Sequence, residues 1–119
     1  MYEGGTRVPF FALWLDRIKP GVSDALVCQV DFMASFAALT GGSLKPEAGV
    51  DSFNVLSALL GDSPKGRDVL VEQAQARAIR KGQWKLIPKT KNLATERPEL
   101  VTERKALLEK IHTSGRSRI

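Results

Sequence analysis

The stretch Val8-Pro9-Phe10-Phe11-Ala12-Leu13-Trp14-Leu15 decides how this sequence is read. It runs without a charge between Arg7 and Asp16-Arg17. The alternation of apolar and polar residues that marks a strand with one wet face is missing. An unbroken apolar run of this length suits a strand covered on both faces, as in a parallel sheet between helix layers. Pro9 has no N–H to give, so it belongs among the strand's first residues. The run therefore predicts one buried strand of an α/β fold. Just before it, Gly4-Gly5 marks a turn, because glycine reaches backbone angles that other residues avoid. Just after it, Asp16-Arg17-Ile18-Lys19-Pro20-Gly21 reads as a surface turn.

Further along, Asp31 is placed to cap a helix that carries Phe32, Met33, Phe36, Ala37 and Leu39 and stops at Gly41-Gly42. This aromatic and methionine stripe reads as core packing. Residues 42–51 form a loop, and Asp51 or Ser52 caps a short helix with Phe53, Leu56, Leu59 and Leu60, closed by Gly61. Residues 62–68 are a polar connector. Val69 to Ile87 reads as a strand pair, with Ala76–Arg80 and Gln83–Ile87 flanking Lys81-Gly82. A tight turn at those two residues sets Ile79 opposite Trp84. A final helix opens at Pro98 with Glu99 in its first turn, where a negative charge suits the helix dipole. Leu100, Arg104, Leu107, Leu108 and Ile111 form its stripe, with Arg104 the polar member. The basic tail from Thr113 is expected to fray.

The 119 residues leave room for one domain, and 43% hydrophobic with 26% charged residues is ordinary for a globular chain. No apolar run reaches the roughly 20 residues of a membrane helix. Glu3 and Arg7 stand where the apolar core of a signal peptide should begin, so none is read. One cysteine, Cys28, excludes an internal disulfide framework; with one histidine, His112, it argues against a Cys/His zinc site. Residues 1–60 hold four basic and six acidic residues, and residues 61–119 hold fourteen and seven, so net −2 and +7 sum to +5. The basic half suits polyanions in principle. Because acidic residues are interleaved, the better reading is a solvated surface.

The search for a self-contained active site returns little. His112 near a helix C-terminus reads as a surface cation suited to the dipole. Cys28, in Val27-Cys28-Gln29-Val30, reads as a buried thiol acting as a small hydrophobe; a catalytic thiol wants a histidine partner. Asp24 and Asp31 have the chemistry of an acid–base pair, but capping explains Asp31 without it. Gly4-Gly5 lacks the remainder of a phosphate loop. Trp84 and Lys85 suggest an aromatic and basic ligand surface, against the plainer reading that Trp84 packs inward while Lys85 snorkels out.

Taken in order, the motifs resemble the sulfatase family, the arylsulfatase-like sulfuric-ester hydrolases. Tyr2-Glu3-Gly4-Gly5-Thr6-Arg7-Val8-Pro9-Phe10 is similar to the family's YEGG-x-RVP segment. Trp14 through Pro20-Gly21 is similar to its strand and turn. Ser23-Asp24 with Val30-Asp31-Phe32-Met33 and Ala37-Ala38-Leu39-Thr40-Gly41 is similar to its following helix. Asp51-Ser52-Phe53-Asn54-Val55-Leu56 with Leu59-Leu60-Gly61 resembles its "DS-x-N" stretch. Ala78-Ile79-Arg80-Lys81-Gly82-Gln83-Trp84-Lys85-Leu86-Ile87 resembles its "WKLI" hairpin, and Asn92-Leu93-Ala94 with Pro98-Glu99-Leu100 resembles its C-terminal end. Each motif alone is weak, but six in the right order are specific. The sequence departs from the family at Leu15, at Ala34-Ser35, and at Pro88-Lys89-Thr90-Lys91, where roughly ten residues of strand and loop are missing.

The resemblance implies the C-terminal part of a sulfatase, that is, of an alkaline-phosphatase-like α/β fold. Its expected parts are one buried main-sheet strand, helices, a small antiparallel hairpin and a C-terminal helix. Residues 1–61 are expected to end the main domain and residues 62–119 to form a truncated subdomain. The implied structural residues are Glu3, Gly4, Gly5, Arg7, Pro9, Asp31, Gly82, Trp84 and Lys85. Intact members are implied to use calcium and a formylglycine made from the Cys or Ser of a C/S-x-P-S-R motif upstream. Cys28 is followed by Gln29-Val30-Asp31 and does not match that motif. No catalytic residue and no metal ligand is therefore carried onto this sequence, and no cofactor is expected to be held by it. Sulfated small molecules or glycans are the implied substrates of intact relatives, which are often exported. Nucleic acid and membrane are not expected as partners. Self-association through the exposed strand edge is. The expected function is that of a sulfatase C-terminal portion, inactive alone; the alternative is a non-enzymatic module that holds polyanions on its basic half.

Overall fold

Between Val69 and Leu86 the chain doubles back twice into an antiparallel sheet, β1 (Val69–Gln73), β2 (Arg77–Lys81) and β3 (Trp84–Leu86), in that spatial order. In this computed structural model, residues 3–74, 76–88 and 96–118 are described. The sheet belongs to one of two compact units, which takes Val69–Ser117 with the first residues through Val8; the other unit holds Pro9–Asp68 and Arg118.

Three strands stand where the sequence suggests a pair, because Val69–Gln73 adds a partner of its own on the far side of β2. The second turn also falls one residue later than expected. Lys81 pairs with Trp84 inside the ladder, leaving Gly82-Gln83 as the loop, so Ile79 faces Leu86 and not Trp84. The cause is Gly82, whose φ of 59° lies in the left-handed region. A lysine adopts that region only at a cost, so the turn centres on the glycine.

The two-residue period of the strands sorts the side chains. Ile79 and Leu86 lie on one face, with Val69 and Val71 packed against them. Helix α3 (Pro98–Ser114) covers this face with Val101, Leu107, Leu108 and Ile111. It starts at Pro98 as its stripe suggests and ends at Gly115, whose φ of 66° forms a left-handed C-cap. Arg104 is buried in the same stripe and pairs with Glu103 at 2.6 Å, while Lys81 reaches Glu103 at 2.8 Å. The Lys81 hydrogen bond, helped by Arg104, holds the Glu103 carboxyl below its ordinary value.

On the opposite face Ala78 is fully buried, and Lys85 forms an ion pair with Glu72 in which neither side chain is more than 10% exposed. Lys85 therefore does not snorkel outward. Burying an ammonium is costly unless it is paired, and Glu72 is a partner here.

The Pro9–Asp68 unit contains α1 (Phe32–Leu39) and the short α2 (Leu56–Leu59), which pack on each other. The expected buried strand over Val8–Leu15 is corrected here. The segment carries no ladder, and Phe11 and Leu13 are 91% and 85% exposed. A strand exists through the neighbours that accept and donate its hydrogen bonds, and no described strand runs beside this one. The stripe on α1 is corrected as well. Its small residues Ala34 and Ser35 are buried, while Met33, Phe36 and Leu39 face outward. The tail is not frayed at Arg118, whose N–H donates to the Val50 carbonyl and whose guanidinium donates to the Ser52 carbonyl. No described helix is long and apolar enough to cross a membrane.

Candidate functional site

A short 3-10 turn, Gln29–Asp31, delivers Asp31 to the start of α1 with no exposed surface. At that position an aspartate ordinarily caps the helix it precedes. Here its side chain makes no capping bond to α1. One carboxylate oxygen, Oδ2, accepts the Cys28 N–H at 3.1 Å. The other, Oδ1, accepts the Phe53 N–H at 3.0 Å and the Arg67 guanidinium at 3.0 Å. Three separate segments therefore converge on one carboxylate.

Arg67 completes the joint. Its side chain is 2% exposed, and its guanidinium lies 4.9 Å above the Phe53 ring. Its backbone N–H donates to the Leu26 carbonyl at 2.8 Å. Gly66 permits that approach: a Cβ at residue 66 would lie 2.1 Å from the Leu26 oxygen. A fully desolvated pair of this kind is held by geometry and by extra hydrogen bonds to the carboxylate, since the Coulombic gain alone barely offsets the desolvation of two ions.

A second set of buried bonds runs beside it. The Ala34 N–H donates to Ser52 Oγ at 2.9 Å, and the Val55 N–H donates to Ser35 Oγ at 3.0 Å. Ser52 thus satisfies a donor in the first turn of α1 rather than capping its own helix, whose N-cap is Val55. Truncating Ser52 to alanine leaves the buried Ala34 N–H unpaired, for an expected loss of about 2 kcal/mol. Urea unfolding followed by circular dichroism measures it, and a loss below about 0.5 kcal/mol would mean another acceptor replaces the hydroxyl.

The other sequence-derived positions are dispersed. Glu3–Gly5 form a single 3-10 turn, and a Cβ on Gly4 or Gly5 would meet nothing within 4 Å. Arg7 and Pro9 are exposed. Gly82 shapes the hairpin loop, Trp84 is half-buried on β3, and Lys85 Nζ lies 3.4 Å from Thr6 Oγ1, bringing the Gly-Gly segment to the sheet. Tyr2 and Asn92-Leu93-Ala94 lie outside the described residues. Asp24 is exposed, whereas Asp31 is buried and taken up by its three donors. Cys28 is half-buried with a free thiol, and His112 is exposed in the last turn of α3. Near the surface of the same unit, Arg17 donates to Asp62 at 3.0 Å, and that hydrogen bond lowers the Asp62 carboxyl below its ordinary value. No local sequence signal marks Arg67, Gly66, Ser35 and Ser52 as members of one joint.

The arrangement binds the Pro9–Asp68 unit together. Among the described residues no group of three or more His, Cys, Asp or Glu side chains is placed to hold a metal ion.

Comparison with known proteins gives this joint its context. A Bacteroides thetaiotaomicron N-acetylgalactosamine-6-O-sulfatase is 34% identical over 145 aligned positions that take in 94% of this chain. A sulfatase structure described under the metabolism of multiple glycosaminoglycans by the same bacterium superposes with a TM-score of 0.84 at 33% identity, over 94% of this chain. This chain is homologous to part of a sulfatase. Human arylsulfatase A is 39% identical over 69 residues, 58% of this chain, and rat arylsulfatase G 40% over 70. No protein-family model matches. The chain spans 28% of the Bacteroides enzyme, 30% of the solved chain and 13% of human arylsulfatase A. The 145 aligned positions exceed the 119 residues available here, so the Bacteroides enzyme is longer within the matched region.

Proposed function

We propose that this chain is the C-terminal portion of a sulfatase-like enzyme whose intact relatives hydrolyse sulfate esters, and that it turns over no substrate alone. The observation that carries this reading is the 94% coverage of the chain by a sulfatase of which it spans only 28%. In this reading the formylglycine nucleophile and the calcium ligands of intact relatives belong to segments upstream of the Gly4-Gly5 turn. In this reading Asp31, Arg67 and the paired serines serve as a frame. They hold α1 and the 52–67 segment rigid beside a catalytic centre built by other residues.

The purified chain is expected to release no detectable product from an aryl sulfate in the presence of calcium. Turnover that co-elutes with the chain and survives Cys28→Ala would sink the reading. The alternative, a polyanion-holding module, is less favoured, because Lys81 and Lys85 are already engaged by Glu103 and Glu72. Salt-sensitive retention on heparin, lost when Lys81 and Lys85 become alanine, would favour it instead.

A further inference from the structure

The buried ion pair on the second face of the sheet reaches beyond the sheet itself. Leu70, Glu72, Ala78, Arg80 and Lys85 share that face, because Leu70 stands across from Arg80, Glu72 across from Ala78, and Arg80 across from Lys85. Two cations are thus direct cross-strand neighbours, an arrangement that like charges disfavour. Glu72, one strand further over, supplies Lys85 with the opposite charge. A lysine head is ordinarily a mobile charge on a flexible stem. Here the Lys85 side chain is 10% exposed, so its ammonium is seated as firmly as the strand that carries it.

An ammonium has three N–H donors, and one carboxylate leaves room for a second acceptor. Lys85 Nζ lies 3.4 Å from Thr6 Oγ1, a contact between residues 79 positions apart. Thr6 directly follows the Glu3–Gly5 turn. Two adjacent glycines give that turn little stiffness of its own, so an anchor at the next residue matters. The grouping of the chain agrees: the residues through Val8 belong with the sheet and α3, and Pro9 onward belongs with the other unit. The turn is also bare. Neither glycine has a positive φ, and a Cβ on either would meet nothing within 4 Å. Among the described residues nothing calls for glycine there, and the open space admits a close approach by other backbone.

We infer that Lys85 is a positioning residue for sulfate-ester hydrolysis: seated by Glu72, it pins Thr6 and so fixes the bare Gly4-Gly5 turn against the sheet. The inference rests on the functional reading above, in which the segments upstream of this turn carry the nucleophile. Those segments run into the turn, so its place sets theirs. A shift of about 1 Å in such a link can cost a hundredfold in rate.

The first test measures backbone order by 15N relaxation on the full 119-residue chain. Gly4, Gly5 and Thr6 are expected to be rigid, with order parameters near 0.85, and to fall below about 0.6 in Thr6→Val and in Glu72→Gln/Lys85→Met. Thr6→Val removes the acceptor and leaves the ion pair intact. The double variant removes the anchor without stranding a buried charge. Ile79 and Leu108 should keep their order in both. A turn that is mobile in the native chain, or equally rigid in both variants, overturns the inference. The second test splices the chain into the Bacteroides N-acetylgalactosamine-6-O-sulfatase in place of its matched region. In this chimera Thr6→Val should lower kcat at least about tenfold with KM unchanged, and Thr6→Ser, which keeps the hydroxyl, should restore it. Native kcat in Thr6→Val overturns the positioning role. A folded native chimera without turnover counts against the functional reading and leaves the anchor to stand on the order parameters.

Discussion

Asp31→Asn is expected to cost about 3–5 kcal/mol of unfolding free energy, a large share of the roughly 5–15 kcal/mol that holds a domain together. The substitution keeps the shape of the side chain and removes its charge. Arg67, with a side chain 2% exposed, then loses the opposite charge of its Asp31 partner in a desolvated place. Amide geometry also replaces an acceptor by a donor, so at least one of Cys28 N–H, Phe53 N–H and Arg67 loses its partner. Urea denaturation monitored by circular dichroism reads the loss. The double variant Asp31→Asn/Arg67→Met separates charge burial from lost hydrogen bonds. Removing the buried cation as well should recover at least about 1 kcal/mol of the deficit, since exchanging a whole buried ion pair for neutral groups is often close to neutral. If the double variant is less stable than the single one, the joint is held by the Arg67 stem and its packing on Phe53 rather than by charge.

Gly66→Ala is expected to cost about 3 kcal/mol or more, although it adds one methyl group. That methyl would sit 2.1 Å from the Leu26 oxygen and 2.8 Å from the Leu26 carbonyl carbon. Backbone atoms cannot rotate away as a side-chain tip does, so the segment must lift. Lifting it stretches the bond from the Arg67 N–H to Leu26 and draws Arg67 away from Asp31, adding lost hydrogen bonds to the overpacking. At roughly 4–8 °C per kcal/mol for small domains, the melting temperature should fall by about 10 °C or more. A fall under about 3 °C would mean that residues 65–67 move freely over Leu26.

The local elements were legible in the sequence where a local rule sets them. Pro98, Glu99 and a one-sided stripe specify α3 because capping chemistry and helical spacing act within a few residues. The strands around Gly82 were visible for the same reason, though the loop took Gly82-Gln83 because the positive φ belongs to the glycine. The joint was not legible. Arg67 sits among Asp62, Lys65 and Asp68, where a charge looks solvated, and nothing nearby in sequence reports a carboxylate 36 positions away. Asp31 carried a correct hint, an acceptor at a helix start, but its three donors come from elsewhere. The run from Val8 to Leu15 suggests a strand covered on both faces, and the structure shows it exposed. Its strand is absent because a ladder is a property of neighbours, and apolarity alone supplies none.

The spacing of the contacts also orders the folding of the chain in time. In the sheet, every paired residue lies within 12 positions of its partner, the longest link being Val69 to Lys81. Such links close on the time scale of a hairpin, about 1–10 μs. The bond between Asp31 and Arg67 must close a loop three times longer, and the backbone around Gly66 must already be seated on Leu26. The meander with α3 is thus expected to nucleate early, and the carboxylate joint to lock late. Stopped-flow refolding is expected to show sheet formation ahead of the closure of residues 9–68, and a single common phase would mean that the two form together.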